Sequence, residues 1–270
     1  MSGLEMHALT DVGIKRNHNE DYVSTTPDLG FAVLADGMGG HNAGEVASAM
    51  AVDVTTRCLQ ARLPGMDEAK LDTDTGFTGE SMLAQEVIAT ANDAIFEASQ
   101  QKRECAGMGT TIVAAVFYGD RLTAAHVGDS RMYRLRGDNL SHVTEDHSLI
   151  QEQVRRGLLT EDDARNSAIK NLVTRALGVE PGVEPDIVED IVQGGDLYLM
   201  CSDGLTDVVP DEAIRLTLID NYKNLKNSAT ALVQLANDAG GPDNISVILI
   251  KTSKQFHRKQ GLLSRLFRRS

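Results

Sequence analysis

Three aspartates lie where an apolar segment meets a turn. Two apolar segments end in Asp-Gly pairs, at Asp36 and Asp203, and a third apolar segment begins two residues after Asp243. A strand that ends at such a carboxylate would hold it rigidly, and a nearby glycine would let the backbone approach closely. Because these positions bring no His or Cys, the group favours a hard cation with oxygen ligands, magnesium or manganese, over zinc.

A fourth element places Arg16 four residues before the acidic pair Glu20 and Asp21. Two divalent ions about 3.5–4 Å apart can share a bridging water, lower its pKa and deliver hydroxide in line with a phosphoryl group. An arginine fork can bind the nonbridging phosphate oxygens. Each Asp-Gly pair alone could be an ordinary turn. The whole set is harder to explain as turns and indicates phosphoryl chemistry.

Short apolar runs typical of strands would position these residues. Several follow one another through short polar turns, which favours antiparallel hairpins. The predicted strands are Phe31–Ala35, Thr111–Tyr118, Leu122–Val127, Met132–Leu135, Leu197–Cys201 and Ile245–Ile250.

Three segments have helical spacing: Val46–Cys58, Leu83–Ala98 and roughly Ser228–Asn237. Each places an apolar stripe on one face, suited to covering a sheet. Strands in runs, with helices between the runs, predict an α+β layered sandwich, whereas regular βαβ alternation of the Rossmann type is not visible. In the first helix Val46, Met50, Val54 and Cys58 recur every four residues, and the predicted stripe also includes the neighbouring Ala47, Ala51 and Leu59.

Composition excludes several function classes. The 270 residues carry a net charge of −13, so neither nucleic acid nor an anionic membrane is an expected partner of the chain as a whole. The three cysteines are odd in number and lack metal-ligand spacing, which favours a reducing compartment. The first ten residues do not resemble a secretory signal, and no run of about 18 apolar residues is present. We therefore expect a cytoplasmic protein.

The last 17 residues differ from the rest in charge. Residues 254–270 hold six Lys or Arg and no acid, whereas residues 1–253 hold 20 basic against 39 acidic residues, a net charge of −19. We expect one catalytic domain over 1–253 and a separate basic tail over 254–270. Apolar residues between 262 and 267 could line a short helix that contacts an acidic partner or a membrane surface, or the tail could be disordered.

The chemistry-bearing segments, taken in order, resemble those of the type 2C metal-dependent protein phosphatases in their bacterial form. The resemblance covers about residues 5–251 and is highly specific as a set. It implies a four-layer αββα sandwich of two antiparallel sheets flanked by helix pairs, with metals at one end between the sheets. The matching segments are Thr10–Asp21, Ala35–His41, Gly109–Thr111, Val127–Arg131, Cys201–Asp207 and Asp243–Asn244.

The resemblance implies roles for individual residues around two Mn²⁺ or Mg²⁺ ions. Asp36 would bridge both ions, and Gly37 would offer its backbone carbonyl to one of them. Asp203 and Asp243 would ligate the other ion and complete the catalytic centre with Asp36. Asp129 matches an acid that binds a third metal in some bacterial members, and its alternative is a plain turn aspartate.

Other matching residues would support this centre. Glu20 and Asp21 would act mainly through metal-bound waters, with Asn244 beside them. Arg16 would hold the substrate phosphate. Animal members carry a His directly after the Asp-Gly, proposed to protonate the leaving oxygen, but Met38 stands there in this chain. A metal-bound water could be the acid instead.

Two histidines and one basic segment stay outside this scheme. His41 is interpreted as a surface or helix-start residue. His147, in a segment that also resembles the family, is interpreted as structural because nothing in the sequence links it to the metals. Residues 149–178 match the family's flap, which could attract a phosphorylated segment or be a solvated helical face. Its basic residues are Arg155, Arg156, Arg165, Lys170 and Arg175.

The resemblance implies a protein phosphatase that hydrolyses phosphoserine and phosphothreonine by direct attack of a metal-bridging water. A Ser/Thr kinase would be the natural partner, and we expect a monomer. Two alternatives are a non-catalytic phosphoprotein-binding regulator of the same fold and a hydrolase of small phosphate esters. Degenerate metal ligands would mark the regulator, and no expected ligand is missing.

Overall fold

A computed structural model describes residues 3–39, 43–101, 103–160 and 172–253. Its strands are β1 (Leu4–Asp11), β2 (Asp21–Thr26), β3 (Phe31–Met38), β4 (Gly109–Thr110), β5 (Ile112–Tyr118), β6 (Arg121–Val127), β7 (Arg131–Arg136), β8 (Asn139–His142), β9 (Asp186–Ile191), β10 (Leu197–Cys201) and β11 (Ile245–Thr252).

Most of the helices lie between runs of strands. Two single 3₁₀ turns, Leu63–Gly65 and Arg103–Cys105, follow the first two of them. The α-helices are α1 (Ala43–Arg62), α2 (Gly79–Gln101), α3 (Leu149–Arg155), α4 (Asp203–Thr206), α5 (Asp211–Asp220) and α6 (Leu225–Asp238).

The strands form two sheets in which every neighbouring pair is antiparallel. One sheet has the order β1-β11-β10-β7-β8, and the other has the order β2-β3-β5-β6-β9, with β4 paired to β3. The predicted hairpin between the second and third apolar runs is β5-β6, closed where Tyr118 pairs with Arg121.

Three separate apolar layers show how the sheets and helices stack. The middle layer joins inward residues of both sheets, where the rings of Phe117 and Tyr198 meet edge to face with centroids 5.3 Å apart. A second layer packs α1 and α2 on the outer face of the β3-containing sheet, and a third packs α5 and α6 on the other sheet. The predicted four-layer αββα sandwich is confirmed.

The buried face of α1 is narrower than the predicted stripe. Val46 is 40% exposed, and the stripe it begins lies at the edge of the contact. The helix buries the other predicted residues, Ala47, Ala51 and Leu59, together with Gly44 at its start. Small side chains such as Ala47 and Ala51 occupy the buried face of α1 because they let the helix axis approach the sheet closely. Larger residues at these positions would prevent that approach.

The described helices include none that is long and apolar enough to cross a membrane.

Candidate metal centre

Asp36 and Asp21 lie opposite each other on adjacent strands, since the register of β2 and β3 pairs their Cα positions. The backbone of Asp36 is fixed by residues of the neighbouring strand segment. Its N–H donates to Thr111 Oγ1 at 3.0 Å, and its carbonyl accepts from Thr110 Oγ1 at 2.8 Å and from Thr111 N–H at 2.9 Å. The carboxylate therefore extends from a rigid base.

The end of β3 is packed directly against the start of α1. A Cβ at Gly37 would lie 2.1 Å from the carbonyl oxygen of Gly44, so no other residue fits there without displacing the helix. Gly37 also donates its N–H to the Glu20 carbonyl at 3.0 Å. This contact brings the Glu20 loop, β3 and α1 together beside Asp36.

Asp203 and Asp243 come from the neighbouring strands β10 and β11 of the other sheet. Asp203 begins α4 directly after β10, and Asp243 stands two residues before β11. The two segments touch at Gly204, where a Cβ would lie 2.0 Å from the carbonyl oxygen of Asn244. Close backbone contact between the segments thus brings two aspartates, remote in sequence, to one end of the sandwich.

The side chain of Asn244 ties down the loop that precedes β2. Its Oδ1 accepts from Glu20 N–H at 2.8 Å, and its Nδ2 donates to the carbonyls of Val12 at 2.8 Å and His18 at 3.0 Å. All three partners are backbone groups, so Asn244 anchors the loop that carries Arg16 and Glu20.

Asp129 lies in the turn between β6 and β7 and is only 8% exposed. Burial, and then repulsion from Asp146, raises the pKa of Asp129 to about 6. Asp146 is itself bound by Arg131 through contacts of 2.6–3.0 Å. The turn between β6 and β7 is thus buried and lies beside the Asp146–Arg131 ion pair.

Electrostatics shows that the aspartates converge on one point. Burial and repulsion from Asp21, Asp203, Asp129 and Asp243, in that order, raise the pKa of Asp36 well above its ordinary value. Such mutual repulsion costs stability unless a cation offsets it.

Two buried carboxylate oxygens in the cluster add a second observation. Among the described residues, Asp21 Oδ1 and Asp203 Oδ1 are buried without a hydrogen-bond partner. Buried polar atoms are nearly always paired. Unpaired carboxylate oxygens in a group of aspartates fit a hard divalent cation with oxygen ligands.

Arg16, expected at the substrate phosphate, contacts this cluster directly. Its Nη2 lies 2.6 Å from Asp243 Oδ2, and its side chain remains 48% exposed. The guanidinium therefore stands at the mouth of the carboxylate group with part of its surface free to meet an anion.

Several residues of the site were missed by sequence reasoning. Asp207 raises the pKa of Asp203, after burial and Asp129. Its spacing of four from Asp203 in a helical turn was a usable signal. Ser202 Oγ donates to Asp21 Oδ2 at 2.8 Å, and this bond between the two sheets has no sequence signal.

Met38, which stands where animal members of the family carry a His, ends β3 opposite Gly109. Of the flap's basic residues, Arg175 pairs with Asp186 at 2.7 Å and Arg156 lies 3.8 Å from Glu152. These acidic partners offset part of the positive charge with which the flap could attract a phosphorylated segment. His41, Arg165, Lys170 and the tail 254–270 lie outside the described residues.

A family model described as Protein phosphatase 2C matches residues 14–248. The chain belongs to the protein phosphatase 2C family. The serine/threonine phosphatase stp of Listeria innocua serovar 6a is 39% identical over 253 residues, covering 91% of this chain and 96% of that protein. PstP of Mycobacterium tuberculosis is 39% identical over 250 residues, covering 91% of this chain and 44% of that longer protein.

Solved structures of the family have the same fold. The M. tuberculosis phosphatase PstP/Ppp aligns with a TM-score of 0.82 at 35% identity, covering 93% of this chain and 99% of that one. The catalytic domain of PstP in complex with two manganese ions aligns with a TM-score of 0.79, also at 35% identity and with the same coverage. The 2C phosphatase described here is accordingly a metal-dependent serine/threonine protein phosphatase.

Proposed function

We propose that the clustered aspartates hold two Mn²⁺ or Mg²⁺ ions, and that water attacks the phosphorus of phosphoserine or phosphothreonine directly at this centre. The grouping of Asp36 with four other aspartates, of which Asp21 and Asp203 each have a buried oxygen unpaired within the described part of the chain, carries the proposal, because bound cations would offset the mutual repulsion. The two manganese ions in the related PstP domain support the number of ions.

The positions of the residues support the ligand roles that the resemblance implies. Asp36 would serve both ions, and the carboxylates of both sheets that act on it support this role. Gly37 would contribute its carbonyl on one side, and Asp203 and Asp243 would bind on the other. Asp129 would hold a third ion. When bound, the ions supply an activated water and offset the charge of the phosphoryl oxygens.

The chain's own residues then position the substrate. Arg16 would exchange Asp243 for the phosphate oxygens, which its half-exposed guanidinium can reach in a bidentate way. Glu20, held by Asn244, keeps this loop against β3. Met38 offers no proton, so a water at the metal centre would protonate the leaving seryl or threonyl oxygen.

The cellular context is also proposed. Phosphoproteins are the substrates of this family, and we propose a Ser/Thr kinase and its targets as the partners of this phosphatase. We further propose that residues 1–253 form a monomeric catalytic domain in the cytoplasm. The basic tail 254–270 would be dispensable for chemistry and available for a partner or a membrane surface.

Turnover on matched substrates tests this function. We expect hydrolysis of a phosphothreonine peptide to exceed that of a nucleotide, and to be lost when a chelator removes the metal. A preference for the nucleotide would favour the small-ester alternative, and metal binding without turnover on either would favour the regulator. In cells, phosphoproteins that accumulate with an Asp203→Asn variant would identify the substrates.

A further inference from the structure

Two buried histidines lie behind the Asp129 turn. The rings of His126, in β6, and His147, just before α3, stack with centroids 4.7 Å apart at an interplanar angle of 28°. Both side chains are almost fully buried. Neither belongs to the aspartate cluster, and the proposed chemistry uses neither of them.

His147 forms two hydrogen bonds with Gly128, the residue that precedes Asp129. Gly128 N–H donates to the ring Nδ1 of His147 at 3.2 Å, and the backbone N–H of His147 donates to the Gly128 carbonyl at 2.9 Å. Gly128 has a φ of +105°, and a Cβ there would lie 2.6 Å from Thr111 Cγ2. Residue 128 therefore has a backbone conformation that favours glycine. Its N–H and its carbonyl are both hydrogen-bonded to His147.

The following residue is held as well. Ser130 Oγ lies 2.7 Å from Thr111 Oγ1, the same hydroxyl that accepts the Asp36 N–H. Asp129 thus lies between two residues that are held by hydrogen bonds: Gly128 is bonded to His147, and Ser130 to Thr111, which also binds the Asp36 backbone. Of these two partners, His147 is the one that lies outside the sheets.

The hydrogen bonds assign the ring protons. Because His147 Nδ1 accepts, the neutral ring carries its proton on Nε2, which lies 3.3 Å from Asp186 Oδ2. His126 Nε2 lies 2.7 Å from the Glu145 carbonyl and must donate to it. Burial, with the neighbouring His126 and Arg175, lowers the pKa of His147 to about 4, so the ring is neutral near pH 7.

This arrangement argues against a separate cation site at the histidines. The donor atoms of His126, His147 and Asp186 lie within 4.8 Å of one another. A cation there would need the lone pair of His147 Nε2, which carries the proton as long as the Gly128 bond is made. The proton positions therefore favour a role for His147 through Gly128.

We propose that His147 is a positioning residue that sets the place of Asp129 and thereby the occupancy of the third metal site. The proposal rests on the proposed role of Asp129 as a ligand of that site. His147 also accepts Thr174 N–H at its carbonyl, at 2.8 Å, and the next residue, Ser148, caps α3. His147 thus joins the Asp129 turn to Thr174 in the flap and directly precedes the residue that caps the flap's first helix.

Substitutions that keep or remove one acceptor test the proposal. In His147→Asn the amide oxygen stands as many bonds from the backbone as Nδ1, so it can accept from Gly128. His147→Gln moves the acceptor further out, and His147→Leu removes it. His142→Leu, at the exposed end of β8, is the matched control. Calorimetric Mn²⁺ titration of the full chain, accompanied by thermal unfolding, measures the number and affinity of the sites.

We expect the third site to weaken at least tenfold in the Gln and Leu variants, with the two tight sites changed less than threefold. His147→Asn and His142→Leu should keep all three sites. Equal third-site affinity in His147→Leu and wild type overturns the proposal. So does loss of the site in the Asn variant, or loss of the fold in any His147 variant, since the inferred effect is local. If Asp129→Ala keeps the third site, the assignment of Asp129 as its ligand fails instead.

Discussion

Arg16 Nη2 and Asp243 Oδ2 are 2.6 Å apart, although 227 residues separate them in the chain. The family resemblance gives these two residues different partners, a phosphate for the arginine and a metal for the aspartate. In this contact each side chain occupies the group that its proposed partner would bind. With side chains 48% and 33% exposed, this ion pair is worth about 1 kcal/mol at most, so the proposed partners would displace it.

Arg16→Ala should separate these two roles. A charge-assisted contact to phosphate is worth roughly 1.5–3 kcal/mol, so KM for a phosphothreonine peptide should rise about tenfold or more. Metal affinity should stay the same or tighten up to about fivefold, because Asp243 loses a competing cation. Arg16→Lys should restore KM only in part. Steady-state kinetics and calorimetric Mn²⁺ titration provide the measurements, and an unchanged KM would place Arg16 outside the substrate site.

Asp36→Asn should abolish turnover at any practical Mn²⁺ concentration while the fold is kept. The amide keeps the shape of the side chain but removes the negative charge that four neighbouring aspartates repel. Without metal, the variant should unfold at a higher temperature than wild type, because one source of repulsion is gone. Circular dichroism melts with a chelator present check this, and full activity of the variant would contradict the two-metal centre. Asp129→Ala, as the comparison, should lower activity and leave the two tight ions bound.

Gly204→Ala should loosen the contact between the Asp203 and Asp243 segments. The new Cβ would lie 2.0 Å from the backbone oxygen of Asn244, and overpacking of this kind costs at least about 1–3 kcal/mol. We expect a lower midpoint of urea unfolding and weaker Mn²⁺ binding. Gly182→Ala is the matched control, because a Cβ there meets nothing within 4 Å. Equal stability of the two variants would show that the segments are not tightly joined.

A chain that ends at Ser253 should hydrolyse a small aryl phosphate at the full-length rate. An earlier end would damage the domain, since Thr252 Oγ1 donates to the Gln193 carbonyl at 2.7 Å and Ser253 N–H donates to the Gly3 carbonyl at 2.7 Å. If the tail recruits a partner or anionic vesicles, truncation should weaken that binding, and high salt should mimic the loss. Co-sedimentation and pull-down of both chains at two salt concentrations decide between recruitment and no role. Loss of aryl phosphatase activity would show that the domain boundary is misplaced.

Most strands that sequence analysis missed lie at the edges of the sheets. Both edges of each sheet, β1 and β8 in one and β2 and β9 in the other, were missed, as was the two-residue strand β4, whereas the inner strands β3, β5, β6, β7, β10 and β11 were all predicted. Most inner strands are buried on both faces and are continuous apolar runs in the sequence. Edge strands such as Asp186–Ile191 are only partly buried and mix charged with apolar residues, which leaves no clear period.

The sequence by itself was enough for the family, the αββα class and a set of candidate acids, because the family's short motifs occur in a fixed order and can be read from local residue types. It could not determine which atoms meet. The convergence of Asp36 with Asp203, the Arg16–Asp243 pair and the grip of His147 on Gly128 all join segments from different strands and loops. Such contacts depend on register, sheet packing and the close approaches that glycines allow, and these are properties of the folded chain as a whole.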